Sequence, residues 1–133
     1  MILVDSSVWV DYFNGRITRE TDYLDSLLGS EPLAIGDLIL AEVLQGFRGD
    51  ADYACAKDLL GSLTVFELLG ARLAVNVAGN YRMLRKKGIT IRKTADVIIA
   101  TYCIEHAIPL LFSDRDFLPF VTHLALKPAL RSS

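Results

Sequence analysis

"ILVDSSVW" at residues 2–9 decides the fold, because a strand pattern ends there on a carboxylate. Residues Ile2 to Val4 are strand-favouring apolar residues, which predicts a short buried strand. Asp5 follows directly, and aspartate is a common N-cap for a helix such as the one that "DSS" opens. The stretch therefore predicts a buried strand, a charged strand end and a helix.

The rest of the chain repeats this alternation of short apolar strands and longer helices. We expect strands at Ile2–Val4, Leu33–Ile35, Leu63–Leu68, 108–113 ("IPLLFS") and Val121–Leu126, and helices at Ile17–Leu28, Leu38–Phe47, Ala51–Leu60, Arg72–Lys87 and 94–107. Strands separated by helices of about ten or more residues favour right-handed crossovers and a parallel sheet. The prediction is a three-layer α/β/α domain with a central parallel sheet of about four to five strands.

Length and composition limit the class of protein. With 133 residues and 52% hydrophobic side chains, the chain suits one domain over residues 1–133. The longest stretches without a charge are about ten residues, against the ~20 that a membrane span needs. No basic leader precedes the first strand, and Cys55 and Cys103 form no C-x-x-C pair. We therefore expect a cytoplasmic protein with two reduced, buried thiols.

The charge is unevenly distributed, although the net charge is only -2. The segment Leu68 to Ala95 contains no acid and many of the bases. Such a basic arm on an acidic body is either a solvated helix face or a track for phosphates. The candidate substrate-binding residues on it are Arg82, Arg85, Lys86, Arg92 and Lys93.

Five carboxylates lie at the ends of predicted apolar strands and helices or inside an apolar helix. Asp5 and Asp114 follow predicted strands, and Asp116 comes two residues later. Glu42 is the lone charge in an apolar helix, and Asp96 lies in the first turn of another. A buried ionised carboxylate costs several kcal/mol without a neutralising partner, so Glu42 and Asp96 each require a cation.

Taken singly, most of these acids have ordinary explanations. Asp5 can cap a helix, Asp96 can face a helix dipole, and Asp114 or Asp116 can form a turn. Taken together they crowd like charges, which destabilises the fold unless a divalent cation lies between them. Oxygen-only ligands suit Mg²⁺ or Mn²⁺ and not zinc. The set therefore predicts metal-dependent hydrolysis of phosphodiesters, a nuclease activity.

Four segments carry a family likeness: "ILVDSSVWVDYF", "LILAEVLQGFRG", "TIRKTADVIIATYCIEH" and "LLFSDRDF". In this order the chain resembles the PIN-domain ribonucleases, and more narrowly the VapC toxins of VapBC toxin-antitoxin pairs. The resemblance implies a PIN-like parallel sheet, a Mg²⁺ or Mn²⁺ cofactor and endonucleolytic cleavage of RNA, often tRNA or rRNA, leaving a 3′-hydroxyl and a 5′-phosphate. It also implies a homodimer and a cognate VapB-type antitoxin.

The resemblance also implies roles for the acids. The four acids of the family correspond to Asp5, Glu42, Asp96 and Asp114, with Asp116 as an optional fifth. We expect Asp5, Asp96 and Asp114, with Asp116 as a further candidate, to hold the metal directly or through water. Glu42 then orients the attacking water or completes the metal shell. The small hydroxyl residues that the family places near these acids correspond to Ser6 or Ser7 and to Ser113.

Other classes fit less well. A serine hydrolase would use Ser6 or Ser7 with His106 or His123, yet there is no G-x-S-x-G elbow. A haloacid-dehalogenase-like phosphatase would need a second Asp where Ser7 stands, and a receiver domain would need adjacent early acids.

The remaining alternative is a non-catalytic PIN-like module that binds protein or RNA. An aromatic cluster at Trp9, Tyr12 and Phe13 would serve such a module as an anchor if it were exposed. The competing interpretation is that these rings, Trp9 above all, pack in the core.

Overall fold

Four short strands alternate with helices in this computed structural model, which describes residues 1–130. The last three residues of the predicted domain therefore lie outside the described residues. The elements in order are β1 (Ile2–Val4), α1 (Ser6–Phe13), α2 (Arg19–Leu27), β2 (Leu33–Gly36), α3 (Asp37–Gln45), α4 (Asp50–Gly61), β3 (Thr64–Phe66), α5 (Ala71–Lys86), α6 (Thr94–Glu105), β4 (Leu110–Leu111), a 3₁₀ turn (Arg115–Phe117) and α7 (Leu118–Leu124).

The strands form one parallel sheet in the order β3-β2-β1-β4. In register, Leu3 of β1 pairs with Ala34 of β2 on one side and with Leu110 of β4 on the other. The chain moves from β1 through β2 to β3 in one direction and then returns to place β4 beside β1. The strand order thus reverses at β1, and in open parallel sheets this switch point is where functional crevices lie.

Helices cover both faces of the sheet, as predicted. Right-handed crossovers put α1 to α4 on one face and α5 and α6, which follow β3, on the other. The helix contacts agree, because α1 packs against α2 and α3, α3 against α4, and α5 against α6. The three-layer α/β/α prediction is therefore confirmed, with four strands in the sheet.

The hydrophobic core includes the elements that lead to the site. β1 is buried at Leu3 and Val4, and α6 is buried almost without interruption from Asp96 to Thr101. Both elements run into the site directly from this core. A charge placed at the end of β1 or in the first turn of α6 is therefore held close to apolar surroundings.

One predicted strand is wrong. The stretch Val121–Leu126 does not join the sheet, because α7 covers Leu118–Leu124 instead. Pro119 stands in its first turn, where proline is tolerated, and Phe120 is buried. Apolar side chains at Phe117, Phe120, Val121 and Leu124 recur at the helical period, which outweighs the β-branched character of this short run.

One of the two cysteines is buried as predicted, and the other is exposed. Cys103 is buried, and burial raises the pKa of its thiol to about 12. Cys55 is exposed on α4, so the prediction of two buried thiols is wrong for this residue. α4 buries only a narrow face at Ala56 and Leu60, and Cys55 lies outside it.

Within residues 1–130, no helix combines the length and apolar character that crossing a bilayer requires.

Candidate metal centre

Three carboxylates from two separate segments converge at the switch point of the sheet. Asp96 comes from the first turn of α6, while Asp114 and Asp116 follow β4. Each offers a carboxylate oxygen, and these oxygens all lie within 4.8 Å of one another. Asp5, at the end of β1 next to β4, lies close enough for its charge to act on Asp96 and for the charge of Asp114 to act on Asp5. The candidate ligands that are far apart in sequence are thus neighbours in space.

Asp5 combines a capping role with a free acceptor. Its side chain is only 3% exposed, and Oδ2 accepts hydrogen bonds from the backbone N–H and the hydroxyl of Ser7, at 3.2 and 2.7 Å. Oδ1 is buried and has no hydrogen-bond partner among residues 1–130. Burial raises the pKa of Asp5, and these hydrogen bonds oppose that shift. The capping explanation is correct, yet it accounts for only one of the two oxygens.

Asp96 is a second strongly perturbed acid of the centre. It is buried, and its Oδ2 lacks a hydrogen-bond partner within the described part of the chain. Burial, followed by the charges of Asp5 and Asp114, raises the pKa of Asp96 to about 7. The positive charge of Lys93 acts in the opposite direction. The side chain is therefore partly protonated near neutral pH, and a metal ion would displace that proton.

Asp114 and Asp116 form a turn as well as part of the cluster. Oδ1 of Asp114 accepts a 2.9 Å hydrogen bond from the backbone N–H of Asp116, which caps the 3₁₀ turn. Oδ2 of Asp116 accepts from the Nε and Nη2 atoms of Arg92, at 3.3 and 3.1 Å. The turn explanation thus holds, and the turn itself brings two carboxylates to the centre.

Glu42 lies at the edge of the centre. It is half-buried on α3, and burial, then the charge of Asp5, raises its pKa, while Lys93 lowers it. Its oxygens do not belong to the described group of oxygens within 4.8 Å of one another. The charge of Asp5 therefore affects Glu42, although Glu42 lies outside the cluster of Asp96, Asp114 and Asp116.

The basic candidates separate into two groups. Arg92 and Lys93 lie just before or at the start of α6, where Arg92 pairs with Asp116 and Lys93 acts on both Asp96 and Glu42. Lys93 is thus the neighbouring base that the sequence required for these two acids. The other three bases, Arg82, Arg85 and Lys86, are exposed on α5, and the Arg85 guanidinium lies 5.6 Å from the centre of the Tyr81 ring.

The donor set fits a hard divalent cation. All candidate ligands are carboxylates, as Mg²⁺ and Mn²⁺ prefer. Two buried oxygens, Oδ1 of Asp5 and Oδ2 of Asp96, lack hydrogen-bond donors within residues 1–130. Buried acceptors are normally satisfied, and crowded carboxylates repel one another, so a cation would relieve both costs.

The hydroxyl and histidine side chains do not form a hydrolase triad. The hydroxyl of Ser7 donates to Asp5 and accepts from Ser113. His106 caps the opposite end of α6 from Asp96, and its ring stacks on Tyr102 with centroids 4.1 Å apart. These contacts give Ser7 a supporting role beside Asp5 and do not support the serine hydrolase alternative.

The aromatic cluster of α1 packs inward. Trp9 is fully buried, and its ring stacks on Phe13 with centroids 5.9 Å apart. Tyr12 and Phe13 are half-buried, and Phe13 meets Phe47 edge to face. The core interpretation of Trp9 is therefore correct, and Trp9 offers no exposed anchor for a partner.

Two contacts of the centre were not predicted. They are the hydroxyl chain from Ser113 through Ser7 to Asp5 and the ion pair of Arg92 with Asp116. The sequence places Ser7 and Ser113 near the acids but does not indicate that their hydroxyls are in contact. For the ion pair, the available signal was that "RK" stands three to four residues before Asp96, at the start of its helix.

Solved structures share this fold. The crystal structure of VapBC2 from Rickettsia felis bound to a DNA fragment from their promoter superposes with a TM-score of 0.72 at 22% identity, over 96% of this chain and 97% of that chain. A toxin-antitoxin complex from Klebsiella pneumoniae superposes with a TM-score of 0.69 at 21% identity, over 88% of this chain and 90% of that one. At these identities the likeness establishes the fold alone.

Sequence comparison defines the class of protein. Residues 2–119 match the PIN domain family, so this chain is a PIN domain protein. Two relatives narrow the class further: ribonuclease VapC11 of Mycobacterium tuberculosis (strain H37Rv) and VapC ribonuclease Mb1587 of Mycobacterium bovis. Each is 34% identical over 122 residues, covering 88% of this chain and 89% of the relative. The chain belongs to the VapC group of the PIN domain family, which confirms the resemblance seen in its sequence.

Proposed function

We propose that this protein is a Mg²⁺- or Mn²⁺-dependent endoribonuclease and the toxin of a VapBC-type toxin-antitoxin pair. One observation carries the proposal: Asp96, Asp114 and Asp116 gather oxygens within 4.8 Å at the sheet switch point, beside the buried Asp5. Relatives of about one-third identity are named as ribonucleases, which supports RNA as the substrate.

The acidic residues of the centre would have two different roles in the reaction. Asp5, Asp96, Asp114 and Asp116 would hold the cation directly or through water, and Glu42 at the edge would orient the attacking water. When bound, the cation supplies a water of lowered pKa and neutralises charge at the attacked phosphate. No protein nucleophile is needed. Water attacks the phosphorus and the bond from phosphorus to the 3′ oxygen breaks, as the family resemblance implies, which leaves a 3′-hydroxyl and a 5′-phosphate.

RNA binding requires positive charge beside this acidic centre. Arg92 and Lys93 lie next to the carboxylates, while Arg82, Arg85 and Lys86 offer exposed charge along α5. Without such bases the carboxylates would repel the phosphate backbone. We assign these five residues to backbone binding and structured RNA, tRNA or rRNA, as the substrate class.

We further propose that residues 1–133 form one PIN domain that works in the cytoplasm as a homodimer with a VapB-type antitoxin. The toxin-antitoxin complexes among the structural neighbours support the antitoxin. Co-expression with the product of an adjacent small reading frame, followed by size-exclusion chromatography with light scattering, tests both assemblies. A chain that stays monomeric and leaves the co-expressed protein unbound would contradict this part of the proposal.

A cleavage assay tests the catalytic proposal. Purified protein is incubated with end-labelled total RNA in Mg²⁺, in Mn²⁺ and in EDTA, beside an Asp96→Asn variant. We expect discrete fragments with 5′-phosphates only with metal and only from the unchanged protein. If no RNA is cut under any condition although the protein is folded, the alternative of a non-catalytic protein- or RNA-binding module replaces the enzyme.

A further inference from the structure

The ion pair between Arg92 and Asp116 ties a basic residue to a carboxylate of the metal centre. Both Nε and Nη2 of Arg92 contact the same oxygen, Oδ2 of Asp116, at 3.3 and 3.1 Å. The Arg92 side chain remains 77% exposed, whereas that of Asp116 is 27% exposed. The Arg92 side chain therefore remains accessible to a ligand while it contacts the less exposed carboxylate.

A cation and Arg92 would compete for this carboxylate. Asp116 shares its position with Asp96 and Asp114, so a cation bound by the three would draw on the negative charge that Arg92 now neutralises. Exposed ion pairs contribute little to stability, and exchanging this one is therefore inexpensive. Once Asp116 faces a cation, the Arg92 guanidinium lacks its counter-ion beside the centre.

A phosphate is the ligand that best replaces that carboxylate. The guanidinium fork matches the oxygens of phosphate as well as those of carboxylate, and a lysine in this place would lack the fork. The backbone of RNA brings phosphates to the centre in the proposed reaction. Only the long, exposed side chain of Arg92 would move when it exchanges the Asp116 carboxylate for a phosphate. The sheet and α6 would stay in place.

We propose that Arg92 couples metal binding to RNA binding: it neutralises Asp116 in the metal-free protein and binds a backbone phosphate of the RNA when a divalent cation takes Asp116. This inference rests on the proposed function, because it assumes that RNA is the ligand at this centre. Arg92 acts as a positioning residue toward Asp116 and as a contact for the substrate.

The experiment uses Mn²⁺ and a 2′-O-methyl RNA oligonucleotide, and gel electrophoresis after each titration verifies that the oligonucleotide is uncut. Mn²⁺ affinity is measured by isothermal titration calorimetry and RNA affinity by fluorescence anisotropy, with Mn²⁺ and with EDTA. The variants are Arg92→Gln, Arg92→Lys and Asp116→Asn. Thermal unfolding in EDTA establishes that each variant is folded.

A matched ion pair elsewhere supplies the control. Arg16 and Asp11 form a surface pair with a 3.7 Å separation and side-chain exposures of 70% and 23%, close to those of the Arg92 pair. Arg16→Gln and Asp11→Asn change the net charge in the same way as the test variants. They should leave Mn²⁺ affinity and the metal dependence of RNA binding as in the unchanged protein.

The affinity for Mn²⁺ and the affinity for RNA should change in opposite directions when Arg92 is replaced. An ion pair with only a structural role would not produce this result. Arg92→Gln should bind Mn²⁺ more tightly, because Asp116 loses its competitor, and should bind RNA about tenfold more weakly with Mn²⁺ present. Asp116→Asn should bind RNA more tightly in EDTA than Asp11→Asn does, because Arg92 is released without metal. Arg92→Lys should keep the charge and recover only part of the RNA affinity.

Wild-type behaviour of Arg92→Gln in both titrations would overturn the inference, as would parallel weakening of both ligands. The cleavage assay separates this failure from failure of the proposed function. If the unchanged protein cuts RNA with Mn²⁺ while Arg92→Gln shows no binding change, the coupling is refuted and the nuclease remains. If RNA neither binds nor is cut, the proposed function fails, and the coupling fails with it.

Discussion

Ser7 and Ser113 are 106 positions apart in the chain, and their hydroxyl oxygens lie 3.2 Å apart, with Ser113 as the donor. Ser7 in turn donates to Oδ2 of Asp5 at 2.7 Å. This chain of hydroxyls connects the end of β1 with the segment after β4, directly before Asp114. It holds the first and the last of the predicted acids at a common edge of the sheet.

Ser7→Ala should lower the free energy of unfolding by about 1 to 2 kcal/mol, because Oδ2 of Asp5 loses a hydroxyl donor in a buried setting. Chemical denaturation at neutral pH measures the change. Ser62→Ala is the control, since that exposed hydroxyl donates only to a carbonyl of its own helix end, and it should stay within about 0.5 kcal/mol. Equal effects of the two substitutions would show that the hydroxyl chain has no special role.

The metal-free protein should lose stability as the pH rises from about 4 to 7. The pKa of Asp96 is raised to about 7 from the model-compound value of 3.8, so the folded state binds a proton that the unfolded state has released across this window. Stability is therefore greatest below the unfolded pKa and falls as the pH passes through the folded one, by an amount on the order of 1 to 3 kcal/mol.

Urea unfolding in EDTA at several pH values measures this dependence. Asp5 and Glu42 add to it with the same sign, since the pKa values of both are also raised. Asp96→Asn should reduce the slope, and the remainder belongs to Asp5 and Glu42. Stability that rises steadily from pH 4 to 7 would contradict the assigned perturbation.

Metal binding should release protons at pH 6. At that pH Asp96 is largely protonated, and a cation binds the deprotonated carboxylate, so each Mn²⁺ bound should displace about one proton from Asp96. Asp5, whose pKa is also raised, adds to the number of protons released. Calorimetric titration in buffers of different ionisation enthalpy gives the number of protons. Repeating it with Asp96→Asn should lower the number of released protons by about one, and an unchanged number would exclude Asp96 as a source.

Asp96→Asn and Asp5→Asn should keep the fold and reduce RNA cleavage by about a hundredfold or more, the scale expected when a charged group that acts in the transition state is lost. Glu42→Gln should impair cleavage while leaving Mn²⁺ affinity within a few-fold, because Glu42 lies outside the oxygen cluster. Cleavage rates with saturating Mn²⁺ and calorimetric Mn²⁺ affinities separate the two roles. Full activity in Asp5→Asn would remove that residue from the centre.

Gly36→Ala should destabilise the protein by about 1 to 3 kcal/mol through overpacking. Gly36 ends β2 just before α3, and a Cβ there would overlap the side chain of Leu68. Gly79→Ala is the matched control, because a Cβ there meets nothing within 4 Å and Gly79 is inside a helix. That control should gain about 0.5 to 1 kcal/mol. Thermal unfolding of both variants in one buffer decides between these opposite signs.

Local patterns predicted the strands and helices that lead to the site. β1 was predicted with its observed bounds, and β2 and α5 within a residue at each end, because their apolar periodicity and glycine stops are encoded over a few neighbouring positions. The strand prediction for Val121–Leu126 was wrong because a short apolar run with a valine fits both the helical period of about 3.6 residues and the strand period of two. Its burial against the core selected the helix.

The sequence by itself determined the class of fold, because short strands that alternate with helices form a layered parallel sheet. It also predicts a divalent cation as the ligand, because lone acids in apolar elements require a compensating charge. Only the tertiary structure decided which acids share one position, which oxygens stay without donors, and that Arg92 pairs with Asp116 while Arg85 points to a tyrosine. These are relations between segments that are distant in the chain. Their energies depend on separations of a few ångströms and on burial, which exist only once the sheet has brought the strand ends together.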